Sequence, residues 1–216
     1  MSRIVAFGCS FTHGDGLPDC FLEEDNKPGI LPSKLAYPNI LAEMLNINEV
    51  VNNGESGSSN IRILKSILSF KFKKDDIAIL QWTFSERDTI FSSKHSQTWL
   101  EVGNWVDEEY IKHFYSLHTE YDLNLRSTML IQFADLFLRK KNVTLVHLCP
   151  DNDNLTEFLK TNALPWFEVY LEPIEVCNPI DIALDNSHPG IKSHTGYAKQ
   201  IKRILDERKN TINSGV

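Results

Sequence analysis

Short apolar runs alternate along this chain with longer segments in which apolar residues recur every three or four positions. Runs rich in Ile, Val and Leu and bounded by Gly, Pro, Asn or Asp are typical of buried strands. Four such strands are predicted at Arg3–Phe7, Glu49–Val51, Asp76–Trp82 and Val143–Leu148, and a weaker fifth at Phe167–Leu171.

Helices are predicted between these strands, where the apolar residues follow the helical period. They cover Tyr37–Leu45, Ile61–Leu68 behind a cap at Ser58 or Ser59, Leu123–Lys141 and Ser193–Arg208. The alternation predicts an α/β fold, a three-layer α/β/α sandwich with a mainly parallel sheet. Ligands of such sheets bind at the carboxyl ends of the strands, so the segments that follow the strands are expected to carry the chemistry.

Two stretches interrupt the alternation. Asp15–Ser33 is rich in Gly and Pro, which predicts a long loop. Residues 83–118 show no clean period, and about 88–118 are interpreted as an insertion, either a packed sub-core or a lid over the site. Its aromatic residues include Trp99, Trp105, Tyr110, Phe114 and Tyr115. The 216 residues otherwise predict a single domain.

Composition narrows the class of protein. Hydrophobic residues make up 42% and charged residues 24%, which is typical of a globular domain, and the net charge of -7 disfavours nucleic acid as a partner. No apolar run approaches the ~20 residues that span a bilayer, and no signal peptide is predicted.

The four cysteines lack CxxC spacing and are interpreted as free thiols of a cytoplasmic protein, although association with a virion stays open. The seven histidines lack HExxH spacing, so neither a metal nor another cofactor is expected, and His147 is expected to be a core residue.

A serine follows the first strand directly, within the sequence GCSFTHG of residues 8–14. A serine hydroxyl becomes a strong nucleophile when a sharp turn exposes it and a base lies beside it. The glycines favour such a turn, which makes Ser10 a candidate nucleophile and its neighbour Cys9 a small buried residue. The alternative is a phosphate-binding turn, although the segment matches neither a P-loop nor GxGxxG.

A candidate base lies just before the last predicted helix. Asp185 stands three residues before His188, within the sequence DNSHP of residues 185–189. An aspartate at this spacing can orient the imidazole and stabilise its charged form while the other ring nitrogen takes the serine proton.

Together these segments resemble the SGNH (GDSL-like) hydrolase family, and most of all its divergent members from phage genomes. The serine segment 8–14 resembles the family's serine block, NGESG of residues 53–57 its glycine block, and Asp185-x-x-His188 its closing block. The resemblance implies a flavodoxin-like SGNH fold, Ser10 as nucleophile, His188 as base and Asp185 as its support. It further implies that the backbone N–H groups of Ser10 and Gly57 form an oxyanion hole, whereas Gly54 is interpreted as ordinary turn punctuation.

The chain departs from the family after the third strand. There the family has Gly-x-Asn-Asp, whose Asn supplies a third oxyanion donor, but residues 81–88 of this chain contain no Asn. Ser85 or Thr83 is expected to donate a hydroxyl instead, with Ser85 ranked slightly higher; Asn60 or Arg87 could also reach in.

The resemblance implies a serine esterase or deacetylase that hydrolyses an O-acyl or acetyl ester, on a glycan or a small molecule, through an acyl-enzyme. Two alternatives stay open. One is a non-catalytic module that binds a carbohydrate or a partner protein, which the missing Asn favours. The other is transfer of the acyl group to an acceptor other than water.

Overall fold

The computed structural model describes residues 2–25, 27–92, 98–103, 109–151, 154–162 and 164–213. The strands in chain order are β1 (Ile4–Gly8), β2 (Phe21–Leu22), β3 (Lys27–Pro28), β4 (Val50–Gly54), β5 (Ile77–Gln81), β6 (Asp88–Ser92), β7 (Thr98–Val102), β8 (Thr144–Pro150) and β9 (Glu172–Ile174). The helices are α1 (Ser10–His13), α2 (Tyr37–Leu45), α3 (Asn60–Ser69), α4 (Glu109–Leu117), α5 (Glu120–Arg139), α6 (Asn154–Asn162) and α7 (Ile191–Asn213).

Five strands form the central sheet, in the order β4-β1-β5-β8-β9. Every neighbouring pair is parallel, so each strand end that carries a loop toward the site lies on the same edge. One face packs on α2 and α7 through an apolar cluster that includes Tyr37, Leu41, Ile201 and Leu205. The other face packs on α3 and α5 through a cluster that includes Ile63, Ile67, Ile131 and Leu138. The predicted three-layer α/β/α sandwich with a parallel sheet is confirmed.

Several predicted element bounds were wrong. β4 runs on through NNG at residues 52–54, beyond its predicted end at Val51, because it pairs in register with β1 as far as Gly8 and Gly54. β8 likewise continues through Cys149 and Pro150, where it pairs with β9. The weaker strand predicted at Phe167–Leu171 is absent. The chain adds its last strand to the central sheet directly afterwards, as β9 (Glu172–Ile174).

The predicted insertion forms the antiparallel hairpin β6–β7 and the helix α4. Its described side chains pack into a small core of their own, with Val102, Ile111 and Phe114 buried against Leu123 of α5. Trp105 and the side chain of Trp99 lie outside the described residues. The part of the insertion that is described therefore has its own packed core; a function as a lid stays a prediction.

A buried ion pair joins β1 to β5 at the amino edge of the sheet. The Arg3 guanidinium donates to both carboxylate oxygens of Asp76, at 2.9 and 3.1 Å. Asp76 is fully buried, so the pair satisfies a carboxylate that would otherwise be costly to remove from water. Within the described ranges, no helix is long and apolar enough to cross a membrane.

Two glycines give a matched test of the packing. A Cβ on Gly54 would lie 2.4 Å from the backbone nitrogen of His13, whereas a Cβ on Gly196 in α7 would lie 3.6 Å from Ile180 Cδ1. Gly54→Ala is expected to lower the free energy of unfolding by about 1–3 kcal/mol, because α1 must move away from β4. Gly196→Ala is expected to raise it by about 0.5–1 kcal/mol, because alanine is the better helix former. Urea unfolding measures both, and equal effects of the two substitutions would contradict the packing described.

Candidate active site

Ser10 is the first residue of a single helical turn at the carboxyl end of β1. Cys9 is extended, and its carbonyl accepts hydrogen bonds from the N–H groups of Thr12 and His13, both at 3.0 Å. The turn closes at Gly14, whose φ of 85° lies in the left-handed region that favours glycine. A strand that passes directly into one turn of helix places the Ser10 backbone N–H among the unpaired donors of a helix N-terminus.

The turn rests on a buried polar network. The Thr12 hydroxyl donates to Gln81 Oε1 at 3.0 Å and lies 3.0 Å from the Tyr37 hydroxyl. Burial raises the pKa of Tyr37, so its hydroxyl stays neutral. Cys9 is fully buried, as predicted, and its thiol donates to the same Gln81 oxygen. Gln81, the last residue of β5, thus anchors the serine turn through its side-chain oxygen. Its role was not predicted from the sequence.

Asp185 and His188 form the predicted pair. His188 Nδ1 lies 2.5 Å from Asp185 Oδ2, and Asp185 Oδ1 accepts from the backbone N–H groups of Ser187 and His188, each at 3.0 Å. Partial burial acts to raise the pKa of Asp185, but the hydrogen bonds from His188 and Ser187 outweigh it and hold that pKa below its ordinary value. Asp185 is therefore a carboxylate that fixes the orientation of the imidazole.

The Asp185 loop lies against the loop that leaves the serine turn. Leu184 N–H donates to the Gly16 carbonyl at 2.9 Å, and a Cβ on Gly16 would lie 2.5 Å from the Asp185 carboxyl carbon. The His188 ring packs edge-on against Phe11, the residue after Ser10, with the ring centroids 5.9 Å apart. The hydrogen bonds of the described residues do not include one between Ser10 Oγ and His188. The Asp185–His188 half of the predicted triad is thus assembled beside the serine turn, and the bond to Ser10 stays a prediction.

The glycine block forms the turn between β4 and α3. Glu55 N–H donates to the Gly8 carbonyl at 3.0 Å, and the Ser56 hydroxyl donates to Asp15. Gly57 has a φ of 71°, which favours glycine. Within the part of the chain that is described, the N–H groups of Ser10 and Gly57 have no hydrogen-bond acceptor. Both are thus available to a ligand oxygen.

Gly54 is more than turn punctuation, because it ends β4 and lets the backbone of α1 approach. A residue with a Cβ there would meet the backbone of Thr12 and His13, not a flexible side chain. That interpretation from the sequence was wrong.

The segment after β5 is held by Asn60. Its amide accepts from Thr83 N–H at 2.8 Å and donates to the Thr83 carbonyl at 3.1 Å and to Ser127 at 3.1 Å. The sequence had left open that Asn60 reaches into the site as an oxyanion donor. Its amide is instead used by Thr83 and Ser127. The Phe84 ring packs against Phe11 at 6.4 Å, which brings this segment beside the serine turn.

The two candidate hydroxyl donors differ in their surroundings. The Thr83 hydroxyl is buried and has no hydrogen-bond partner among the described residues. Ser85 borders a small crevice between the segment, α3 and α5, together with Asn60 and Ser127. The central carbon of the Arg87 guanidinium lies over the Phe84 ring, 5.0 Å from the ring centroid.

Two other histidines are core residues. His147 is buried in β8, as predicted, where it accepts from Trp82 Nε1 at 3.1 Å; burial lowers its pKa, although Asp135 opposes this. His194 accepts from Tyr37 N–H at 3.1 Å, and burial lowers its pKa to about 4. Both are neutral near pH 7 and hold structure together.

Among the described residues, one group of side chains could hold a metal. Donor atoms of His13, Asp15 and Cys20 all lie within 4.8 Å of one another, and all three residues are buried. Sequence reasoning missed the group because His-x-Asp with a cysteine five residues later matches no common metal motif.

No protein-family model and no curated protein matches the chain. Solved structures do match. An acetyl xylan esterase, Est2A, from the rumen bacterium Butyrivibrio proteoclasticus is 15% identical with a TM-score of 0.59, over 97% of this chain and 64% of the esterase. A carbohydrate esterase described as having divergent catalytic and non-catalytic binding functions is 12% identical with a TM-score of 0.57, over 95% of this chain and 65% of that one.

A protein of the lipolytic G-D-S-L family from Desulfitobacterium hafniense DCB-2 is 11% identical with a TM-score of 0.53, over 94% of this chain and 98% of that one. This chain thus has the SGNH hydrolase fold, as the resemblance implied. It spans slightly less than two thirds of the two carbohydrate-active esterases.

The lowered pKa of Asp185 gives a test by stability against pH. A carboxylate whose folded pKa lies below its unfolded value of about 3.9 stabilises the fold above that value, and the stabilisation disappears as pH falls through the folded pKa. Asp185→Asn is expected to be less stable than the wild type near neutral pH, and the difference is expected to vanish in acid. Urea unfolding over a pH series measures it, with the exposed Asp25→Asn as control. A difference that does not vary with pH would contradict the hydrogen-bonding described.

Proposed function

We propose that this protein is a serine ester hydrolase that removes an acetyl or other acyl group from an O-acyl ester. The observation that carries the proposal is the contact of the Asp185–His188 pair with the serine turn: Asp185 packs on Gly16, and His188 packs on Phe11. An oriented imidazole beside a serine at a helix N-terminus is the arrangement that acyl transfer to serine needs.

In the first half of the proposed reaction, Ser10 Oγ attacks the ester carbonyl carbon and its proton passes to His188 Nε2. Asp185 stabilises the resulting imidazolium through Nδ1–H. The bond to the leaving alcohol then breaks, His188 gives its proton to that alcohol, and the acyl group stays on Ser10. In the second half a water attacks the acyl-enzyme, His188 takes the water proton, and Ser10 is released when the proton returns to Oγ.

Negative charge on the ester oxygen is proposed to be stabilised by the N–H groups of Ser10 and Gly57, which have no other acceptor among the described residues. For the third donor we now favour Thr83 over Ser85. The Thr83 hydroxyl has no hydrogen-bond partner among the described residues, so no existing bond has to break before it can bind an oxyanion. Ser85 instead borders the crevice at α3 and α5.

For the substrate class we propose acetylated glycans or small acyl esters. Two of the proteins that share the fold are carbohydrate-active esterases, and one of these is an acetyl xylan esterase. Cys9 and Cys20 are free thiols, which supports a reducing compartment such as the cytoplasm as the place of action.

A second candidate function is non-catalytic binding of a carbohydrate or a partner. It is favoured by the missing Asn in residues 81–88. It is also favoured by the Ser10 hydroxyl, which makes no hydrogen bond with His188 among the described residues. The two functions differ in whether Ser10 forms a covalent intermediate.

Ser10→Ala is expected to lower kcat/KM on an acetyl ester by at least about 10³-fold, because it removes the nucleophile. A fluorophosphonate is expected to label the wild type at Ser10 and to leave Ser10→Ala unlabelled. The matched control is Ser69→Ala, at the exposed end of α3. A wild type that neither hydrolyses acetyl esters nor takes the label would favour the binding module. A label found on Cys9 would show that Ser10 is not the nucleophile.

Thr83→Val is expected to lower kcat by about 10²–10³-fold with little change in KM, because an oxyanion donor acts in the transition state. Its free energy of unfolding is expected to rise, because valine replaces a buried hydroxyl that has no hydrogen-bond partner among the described residues. Thr83→Ser should keep most of the activity, and Ser85→Ala should behave as the wild type. If Ser85→Ala carries the loss instead, Ser85 is the donor; if neither variant loses activity, no hydroxyl completes the hole.

A further inference from the structure

Three donor atoms of different chemistry converge beside the serine turn. His13 Nδ1 lies 2.7 Å from Asp15 Oδ1 and 3.5 Å from Cys20 Sγ. His13 ends α1, Asp15 directly follows the turn, and Cys20 lies in the long loop. The three residues are 4%, 5% and 2% exposed, so the group is almost entirely buried.

The group is not a proton relay. A relay through a histidine uses its two ring nitrogens for two different partners, but here both Asp15 and Cys20 lie against the same nitrogen, Nδ1. Three donors that meet at one point are instead the arrangement of a metal-ligand set.

The carboxylate supplies an independent observation. Asp15 Oδ2 accepts from the Ser56 hydroxyl, but Asp15 Oδ1 is buried without a hydrogen-bond partner, because its close contact with His13 Nδ1 lacks the alignment of a hydrogen bond. A buried carboxylate oxygen without a partner is costly. A cation between Asp15, His13 and Cys20 would satisfy it.

We propose that His13 Nδ1, Asp15 Oδ1 and Cys20 Sγ bind one divalent transition-metal ion, of which Zn²⁺ best matches the donor set. Nitrogen, carboxylate oxygen and thiolate are the ligands that zinc takes, and three protein ligands leave a fourth position for water. On binding, the Cys20 thiol loses its proton to solvent as the S–metal bond forms. The thiolate, the Asp15 carboxylate and the dication then sum to zero charge, which suits a buried site.

The observed spacing is close to what the ion requires. With Zn–N of about 2.0–2.1 Å and Zn–S of about 2.3 Å, tetrahedral ligands place N and S about 3.6 Å apart, against 3.5 Å for His13 and Cys20. Nitrogen and oxygen would be about 3.4 Å apart, so the Asp15 carboxylate has to draw back from its 2.7 Å contact. Burial, with Asp15 and Asp19 nearby, raises the pKa of the Cys20 thiol, and a bound cation would reverse this.

The site would act as a clamp on the serine turn. Its ligands bracket Gly16, whose carbonyl accepts from Leu184 and whose Cα faces Asp185. A metal bound to both ends of this stretch would fix the surface on which the Asp185 loop rests. The inference does not depend on the proposed hydrolysis.

Full-length protein, stripped with a chelator and kept reduced, is titrated with Co²⁺ as a spectroscopic substitute. One equivalent is expected to bind, with the absorption of a tetrahedral site and a thiolate-to-cobalt charge-transfer band. Zn²⁺ at about a hundredfold excess over its Kd is expected to raise Tm by about 5–10 °C. Saturation without the charge-transfer band, or no binding, overturns the proposal even if esterase activity is present.

Variants identify the ligands. Cys20→Ser is expected to abolish the charge-transfer band. Cys20→Ser and His13→Gln are each expected to weaken Zn²⁺ binding more than 100-fold, since loss of about 10–100-fold is typical of residues that only support a ligand. Cys177→Ser and His113→Gln, on residues outside the group, should bind as the wild type, and so should Ser10→Ala. Circular dichroism shows whether each variant is folded. Unchanged Zn²⁺ binding by a folded Cys20→Ser variant would overturn the assignment of Cys20 as a ligand. If that variant does not fold, the charge-transfer band of the wild-type cobalt complex decides whether a thiolate is bound.

Discussion

The candidate site depends on how closely the first helical turn approaches the sheet beneath it. A Cβ on Gly8 would lie 2.1 Å from the Thr12 hydroxyl, and one on Gly54 would lie 2.4 Å from the His13 nitrogen. Since Gly8 and Gly54 are paired in register at the ends of β1 and β4, two neighbouring strands both lack side chains under α1. The turn can therefore rest directly on backbone. The Thr12–Gln81 hydrogen bond and the docking of the glycine block both depend on that close approach.

The loops of the site are held by backbone hydrogen bonds as well as by the ring contacts of Phe11. Glu55 N–H binds the Gly8 carbonyl, and Leu184 N–H binds the Gly16 carbonyl. Each bond ties a distant segment to the chain around Ser10. Ser56 and Asp15 add a side-chain tie between the glycine block and the loop after the serine turn. The serine turn and the loop that follows it thus support both the glycine block and the Asp185 loop.

Much of this could be predicted from the sequence, because local patterns carry it. Apolar runs located the strands, and the spacing of Asp185 and His188 predicted their pairing. What failed depended on partners distant in the chain. The extension of β4 through Gly54 follows from pairing with β1, and the position of β9 follows from pairing with β8. From the sequence, Asn60 was a candidate oxyanion donor, but in the fold its side chain accepts a hydrogen bond from Thr83 N–H. The convergence of His13 with Cys20 required the path of the long loop, which no local pattern specifies.

The docking of Leu184 and Asp185 on Gly16 has a consequence for folding of the protein. The serine turn and the Asp185 loop are far apart in the sequence, and α7, which follows that loop, packs in one apolar cluster with α2. Contacts between segments so distant in the chain form slowly, since a long loop has to close first. A folding chain is therefore expected to form its local turns before the Asp185–His188 pair docks beside Ser10. The chemistry proposed for Ser10 would depend on that late contact.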